Sequence, residues 1–135
     1  LVIGLILLLV LSVLAVSTMN SATFGLTMAG NTQFTENAFQ LAETGIERAI
    51  SNGPFCAGAA CAANAIANTV VTDANGNTIG NYQANTVYQA CTAKDGYSED
   101  LFKAYHFRIT STGQSARGAQ SQNTQEFFLV GPNGC

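Results

Sequence analysis

The sequence predicts an α+β fold: one long N-terminal helix over residues 1 to about 51, with an antiparallel sheet of about four strands packed on its second half. Three observations support this prediction. Residues 1–35 contain no charged side chain, and no proline precedes Pro54. Beyond Phe34 the apolar residues recur at helical spacing. The second half of the chain then alternates polar and apolar residues between turn signals.

The start of the predicted helix is apolar on all sides. Residues 1–16 (LVIGLILLLVLSVLAV) include a single hydroxyl, that of Ser12. Leucines fall on every face of these turns, and a helix of this kind belongs in lipid or in a protein core. We therefore predict an apolar helix over residues 1–30 and a globular domain over residues 31–135, which includes the amphipathic half of the helix.

This apolar start has three interpretations. A cleavable signal peptide is disfavoured because the run has no basic segment, no initiator Met and no breaker after it, so the chain is expected to be already processed. A transmembrane anchor fits, since the uncharged residues 17–26 extend the run to the roughly 20 residues that a span needs. The third interpretation is a helix that first lies in a membrane and is later buried against copies of itself. Hydropathy does not separate the last two and by itself favours a plain anchor.

Residues 17–31 form the weakest part of the helical pattern. They are rich in Ser, Thr and Gly, and each Gly lowers helix stability by about 1 kcal/mol relative to Ala. Any local unwinding is predicted here, at Gly25 first and also at Gly30.

The last turns of the helix are amphipathic. The residues expected to cover the sheet are Phe39, Ala42, Ile46, Ala49 and Ile50. The opposite polar stripe consists of Glu36, Gln40, Glu43 and Glu47. We expect this stripe to be solvated, the alternative being ion pairs with a neighbouring subunit. Asn52, Gly53 and Pro54 end the helix.

The sheet is predicted from three segments. Residues 69–90 form a hairpin around Asn75-Gly76, a strong turn signal. The alternation of Asp73, Asn75 and Asn77 is similar to a calcium loop, but Ala84 stands where a closing Glu is needed, so a plain turn is favoured. Two further strands are predicted over residues 104–112 and 119–130, with a turn at 113–118.

The four cysteines allow a disulfide framework in an oxidising compartment. Of the three connectivities, we favour a local Cys56–Cys61 bridge and a Cys91–Cys135 bridge that fastens the C-terminus to the sheet. The cysteine spacing matches no haem or thioredoxin motif, and His106 as the single histidine gives little support for zinc.

The composition argues against several function classes. The net charge is -3 and the basic residues are scattered, so nucleic-acid binding is not expected. We find no nucleophile motif, phosphate loop or paired carboxylates, and His106 lies within a predicted strand. The sequence therefore predicts no catalytic site, no cofactor and no metal.

Two stretches of residues carry a family resemblance. The apolar LVIGLILLLVLSVLAV, followed by MAGN (residues 28–31) and ENAFQLAETGIERA (residues 36–49), resembles the N-terminal signature of PilX-type minor pilins within the type IV pilin and pseudopilin superfamily. The stretch FRITSTGQSARGAQS (residues 107–121) is similar to the C-terminal hairpin of that group. The resemblance covers about fifty residues well and the last thirty loosely.

The resemblance implies a pilin-like ladle and a mechanical and adhesive role in an extracellular type IV pilus-like filament. Its implied partners are copies of itself or other pilins, the inner membrane before assembly, the prepilin peptidase and the pilus assembly machinery. It also implies a methylated N-terminus and a disulfide-closed C-terminal region. The helix residues expected in the filament core are Leu1, Val2, Ile3, Leu5, Leu8 and Leu9.

One residue departs from the wider family. Major pilins carry a Glu at the fifth position of the mature chain, and this sequence has Leu5 if Leu1 is that terminus. A missing carboxylate at this position resembles the PilX-type and some pseudopilin branches. The departure raises the question whether this chain polymerises by itself or joins a filament built mainly by another subunit. The alternatives to a main filament subunit are a minor pseudopilin that primes assembly or adhesion and a single-span anchored binding module. A secreted enzyme is a third class, which would require residues 1–16 to be absent from the mature protein.

Overall fold

A computed structural model of the chain describes residues 1–53, 55 and 64–134. One long helix and a four-stranded antiparallel sheet form an α+β arrangement, which confirms the predicted fold class. In chain order the elements are helix α1 (Val2–Ser51), strand β1 (Asn64–Thr72), strand β2 (Thr78–Thr92), strand β3 (Phe102–Ser115), a single 3-10 turn (Ala116–Gly118) and strand β4 (Gln120–Pro132).

Helix α1 runs for 50 residues without a break. Its hydroxyl side chains donate to carbonyls one turn back, as Ser12 does to Leu8 at 2.7 Å and Thr27 does to Thr23 at 2.9 Å. These bonds give the Ser and Thr side chains partners within the helix itself, as is common for mid-helix hydroxyls. Gly25 and Gly30 lie inside regular helix, so the predicted unwinding remains a prediction for the packed fibre.

The sheet is a simple meander in the order β1-β2-β3-β4. The predicted hairpin around Asn75-Gly76 is present, but β1 begins at Asn64, earlier than the predicted residue 69. In its turn the Asp73 carboxylate accepts the backbone N–H groups of Asn75 and Asn77, each at 2.8 Å. Gly76 has a φ of 84°, a left-handed conformation that favours glycine. The aspartate thus organises the turn from within.

The second turn lies later than predicted. Gly113 belongs to β3, and the chain reverses at residues 116–118, where Arg117 and Gly118 have φ values of 58° and 75°. The prediction that the turn begins at Gly113 is therefore wrong. Gly113 is used inside the strand because the helix backbone approaches there: a Cβ on it would collide with Ala38 O and Ala42 N.

Contacts divide the chain into two compact units, Leu1–Gln33 and Phe34–Cys135. In the second unit one narrow stripe of α1 packs on the sheet: Ala38, Leu41, Ala42, Gly45, Ile46 and Ala49. The predicted face was partly wrong, because Phe39 and Ile50 are 46% and 42% exposed. Four of the six stripe residues are Gly or Ala, which lets the sheet lie close to the helix, and a Cβ on Gly45 would collide with the Ser111 hydroxyl.

The core of this unit joins both layers. Ile46 and Ala49 of the helix pack with Ala84 of β2 and Ile109 of β3. Three phenylalanine rings pack together beside this cluster. The Phe55 ring centroid lies 5.4 Å from that of Phe107 and 4.9 Å from that of Phe127. The sheet thus has one face covered by the helix and a second face turned away from it.

Candidate functional site: an exposed apolar helix

The first unit exposes apolar side chains along its whole length. Val2 and Ile3 are 69% and 76% exposed, and Leu8 and Leu9 are each 65% exposed. All six residues predicted for the filament core belong to this surface: Leu1, Val2, Ile3, Leu5, Leu8 and Leu9. Whether they pack in a filament is not tested by the isolated chain and stays a prediction.

Over residues 1–16 this surface has no polar side, since Ser12 is the one polar residue there. The helix contains a stretch long and apolar enough to cross a membrane by length and composition, and none of that stretch is buried. Removing apolar surface from water is favourable by about 25 cal/mol for each Å². The segment therefore gains free energy by entering either lipid or an apolar protein surface.

Glycines on this unit leave room for a close approach. A Cβ built on Gly4, Gly25 or Gly30 would meet nothing within 4 Å. Because glycine has no side chain, a neighbouring helix can come close to the backbone at these exposed positions, as small residues permit in lipid.

The acidic stripe of the helix is partly engaged by the sheet. Glu43 accepts a hydrogen bond from the Asn123 amide of β4, whereas Glu36 and Glu47 are exposed. Glu43 therefore already has a partner within its own chain, on the sheet.

Cys91 is disulfide-bonded. It is the one cysteine among the described residues, so the predicted Cys91–Cys135 and Cys56–Cys61 pairings involve positions outside them. The connectivity stays a prediction.

The other singled-out side chains have local partners. His106 Nε2 hydrogen-bonds the Thr92 hydroxyl at 2.8 Å. Hydrogen bonds from Asn77 and other turn groups lower the pKa of Asp73. Within residues 1–53, 55 and 64–134 there is no group of three or more His, Cys, Asp or Glu side chains that could hold a metal ion.

A second surface, which lies on the sheet, was not predicted from the sequence. The sheet face turned away from the helix carries uncharged amide and hydroxyl side chains on three adjacent strands. The signal was present as alternate residues in NYQAN (81–85), TSTGQ (110–114) and QSQNT (120–124). The sequence does not show that β2, β3 and β4 place these residues side by side.

The fold and this helix define a class: an α+β subunit whose exposed apolar helix is compatible with membrane anchoring. Residues 1–47 match the family model for the PilX N-terminal region, which confirms the resemblance to PilX-type minor pilins of type IV pilus systems. The match ends before the sheet begins, so residues 48–135 lie outside it. No curated protein and no solved structure matches the chain.

Proposed function

We propose that this protein is a non-enzymatic structural subunit of an extracellular type IV pilus-like filament, assembled through residues 1–30 of its helix. The observation that carries the proposal is the exposure of apolar side chains on all sides of that segment, with none of its candidate span buried. The PilX-type match over the same residues supports it.

The physical basis is a transfer between two apolar environments. In the inner membrane the segment is solvated by lipid, and in a filament it is solvated by equivalent helices. Each leucine or valine kept out of water contributes about 1.5–3 kcal/mol. Prepilin peptidase and the pilus assembly machinery are the proposed partners before assembly, and other pilins or copies of this chain are the partners after it.

The absence of catalysis is also part of the proposal. His106, the single histidine of the chain, is hydrogen-bonded to Thr92 and lies on a sheet face beside the Phe128 ring, 5.9 Å away between centroids. A general base needs a positioned nucleophile or substrate within hydrogen-bond reach. Among the described residues, no further side chain hydrogen-bonds His106 to orient it as a base for the Thr92 hydroxyl.

A charge placed in the apolar segment tests the proposal. We expect Leu8→Asp to abolish incorporation into sheared filaments, because an unpaired carboxylate is costly in an apolar interface. Val70→Asp is the matched control, since Val70 is 58% exposed on β1, close to the 65% of Leu8. Immunoblots of sheared filaments give the readout, and circular dichroism checks that both variants fold. Normal incorporation of Leu8→Asp would refute the packing role.

A second function is favoured by a specific observation. The match is to a minor-pilin type, and Leu5 replaces the carboxylate that the resemblance leads one to expect in a main subunit. In this alternative the chain primes assembly or adhesion at low copy number, or remains a single-span anchored binding module. Cryo-electron microscopy of sheared filaments, with mass spectrometry of their stoichiometry, separates the roles. A lattice filled by this chain supports the main subunit, a low ratio supports priming, and its confinement to the membrane fraction supports the anchored module.

A further inference from the structure

The sheet face turned away from the helix carries a regular patch that we call the neutral array. Its nine side chains are all amides or hydroxyls and form three cross-strand rows: Asn81–Gln114–Gln120, Gln83–Thr112–Gln122 and Asn85–Thr110–Thr124. Neighbouring strands lie roughly 4.8 Å apart and alternate residues roughly 7 Å apart. The array is therefore a grid of hydrogen-bonding groups about 10 Å by 14 Å.

The array contains no charge, and a charged pair borders it on one side. The next row toward the C-terminal end of β4 is Val87–Arg108–Glu126, in which Arg108 and Glu126 form an ion pair at 2.6 Å. That pair neutralises itself, so it provides no net charge to attract an ionic ligand into the adjoining rows.

Most of the array's hydrogen-bonding capacity is unused within the described chain. Asn81 donates to the Asn68 side chain at 2.7 Å, and the other eight side chains make no side-chain hydrogen bond to described residues. Each amide offers two donors and two acceptor lone pairs, and each hydroxyl offers one donor and two lone pairs. A ligand that both donates and accepts would satisfy them.

Two grooves run along the surface of the array. One has a volume of about 160 Å³ and lies between Asn68, Asn81 and Gln114, and the other has a volume of about 620 Å³ and reaches Ala65 and Asn85. Gln83 and Thr112 of the middle row line both grooves. A break in the β1–β2 register between Ile66 and Thr69 lies beside this middle row.

We propose that the neutral array is a binding site for a neutral polysaccharide, whose hydroxyls both donate and accept hydrogen bonds. A charged polymer would find no counter-charge on the array. An apolar protein surface would leave the amides desolvated without partners, at about 1–3 kcal/mol each. The site does not require the chain to be in a filament, so it stands or falls independently of the filament role.

Binding to immobilised polysaccharides tests the site. The full chain would be placed in nanodiscs, because alkyl-glycoside detergents would compete, with empty nanodiscs as the blank. Biolayer interferometry would compare neutral dextran, laminarin and mannan with anionic heparin and cationic chitosan. We expect at least one neutral polymer to bind in preference to both charged polymers.

Variants on the two faces of the sheet supply the control. We expect Gln83→Ala combined with Thr112→Val to weaken binding about ten-fold or more, because the middle row loses its donors and acceptors. Gln125→Ala is matched to it, since Gln125 is an exposed glutamine of β4 that alternates onto the opposite face. Thermal unfolding would verify that all variants fold.

Four results would overturn the proposal: no neutral polymer binds, a charged polymer binds more tightly than the neutral ones, the double variant and Gln125→Ala lose binding equally, or the array instead mediates self-association. The last would appear as a larger particle in sedimentation that the double variant dissociates.

Discussion

The two units of this chain use the same secondary structure in opposite ways. In residues 1–33 the helix exposes its apolar side chains, whereas in residues 34–51 it buries one narrow stripe on the sheet. The glycines show the difference most directly. A Cβ on Gly25 or Gly30 would meet nothing within 4 Å, while Gly45 has no room for a Cβ. The part of the helix that packs on the sheet is specified by close contacts, and the part before it leaves its surface exposed.

This contrast also separates what each unit needs. The second unit contains its own hydrophobic cluster of helix and sheet residues. The first unit is stabilised by whatever removes its leucines and valines from water. Substitutions in the two units should therefore affect different measurements, domain unfolding in one case and assembly in the other.

The largest effect on domain stability is expected from Gly113→Ala. The added Cβ would collide with backbone atoms of Ala38 and Ala42, and backbone cannot move aside without separating the helix from the sheet. We expect a loss of about 3 kcal/mol in the free energy of unfolding. The chain has no Trp, so chemical denaturation would be followed by tyrosine fluorescence and circular dichroism. An unfolding midpoint equal to that of the wild type would contradict the close packing.

A smaller effect is expected from Gly45→Ala. Its added Cβ would meet the Ser111 hydroxyl, a side chain that can rotate, so we expect a loss of about 1–2 kcal/mol. Adding Ser111→Ala should restore part of this loss, because it removes the colliding atom. Simple additivity of the two changes in a double-mutant cycle would show that the two positions do not interact.

Gly25→Ala should leave domain unfolding unchanged, because the added Cβ would meet nothing within 4 Å and Gly25 lies outside the unit that contains the sheet. It should raise the stability of the helix by up to about 1 kcal/mol. If the helix unwinds at Gly25 in the packed filament, the same substitution will lower incorporation several-fold, with Ser12→Ala as the control in the helix outside the predicted unwinding region. Unchanged incorporation of Gly25→Ala would argue for a continuous helix in the filament.

The smallest effect on domain stability is expected when low pH protonates Asp73 in the turn between β1 and β2. The pKa of Asp73 is lowered below its ordinary value of 3.8 by hydrogen bonds, first from the Asn77 side chain. Since the folded pKa is lowered, its stabilising contribution is present above the ordinary pKa and is lost as the pH falls through the folded pKa.

Asp73→Asn should therefore narrow the difference in unfolding midpoint between neutral pH and pH 3. Asp95→Asn, in the loop before β3, is the matched control. Equal acid sensitivity of wild type and Asp73→Asn would show that the carboxylate does not organise the turn.

The fold class could be predicted because strong local signals agreed. The lack of charge and proline before Pro54 predicts an unbroken helix, and Asn75-Gly76 predicts the first hairpin. The buried stripe was harder to predict. Periodicity favoured Phe39 and Ile50, but the sheet covers a stripe rotated away from them, in which Leu41 and Ile46 are buried while Phe39 and Ile50 stay exposed.

By itself the sequence determined the long helix, its apolar start, the first turn and the PilX-type character of residues 1–47, because each depends on residues near one another in the chain. The tertiary structure alone decided which helical stripe is buried, why Gly113 lies within a strand, and that nine neutral side chains form one grid. These features depend on strand register and on the distance between helix and sheet, which are set by packing among residues far apart in sequence.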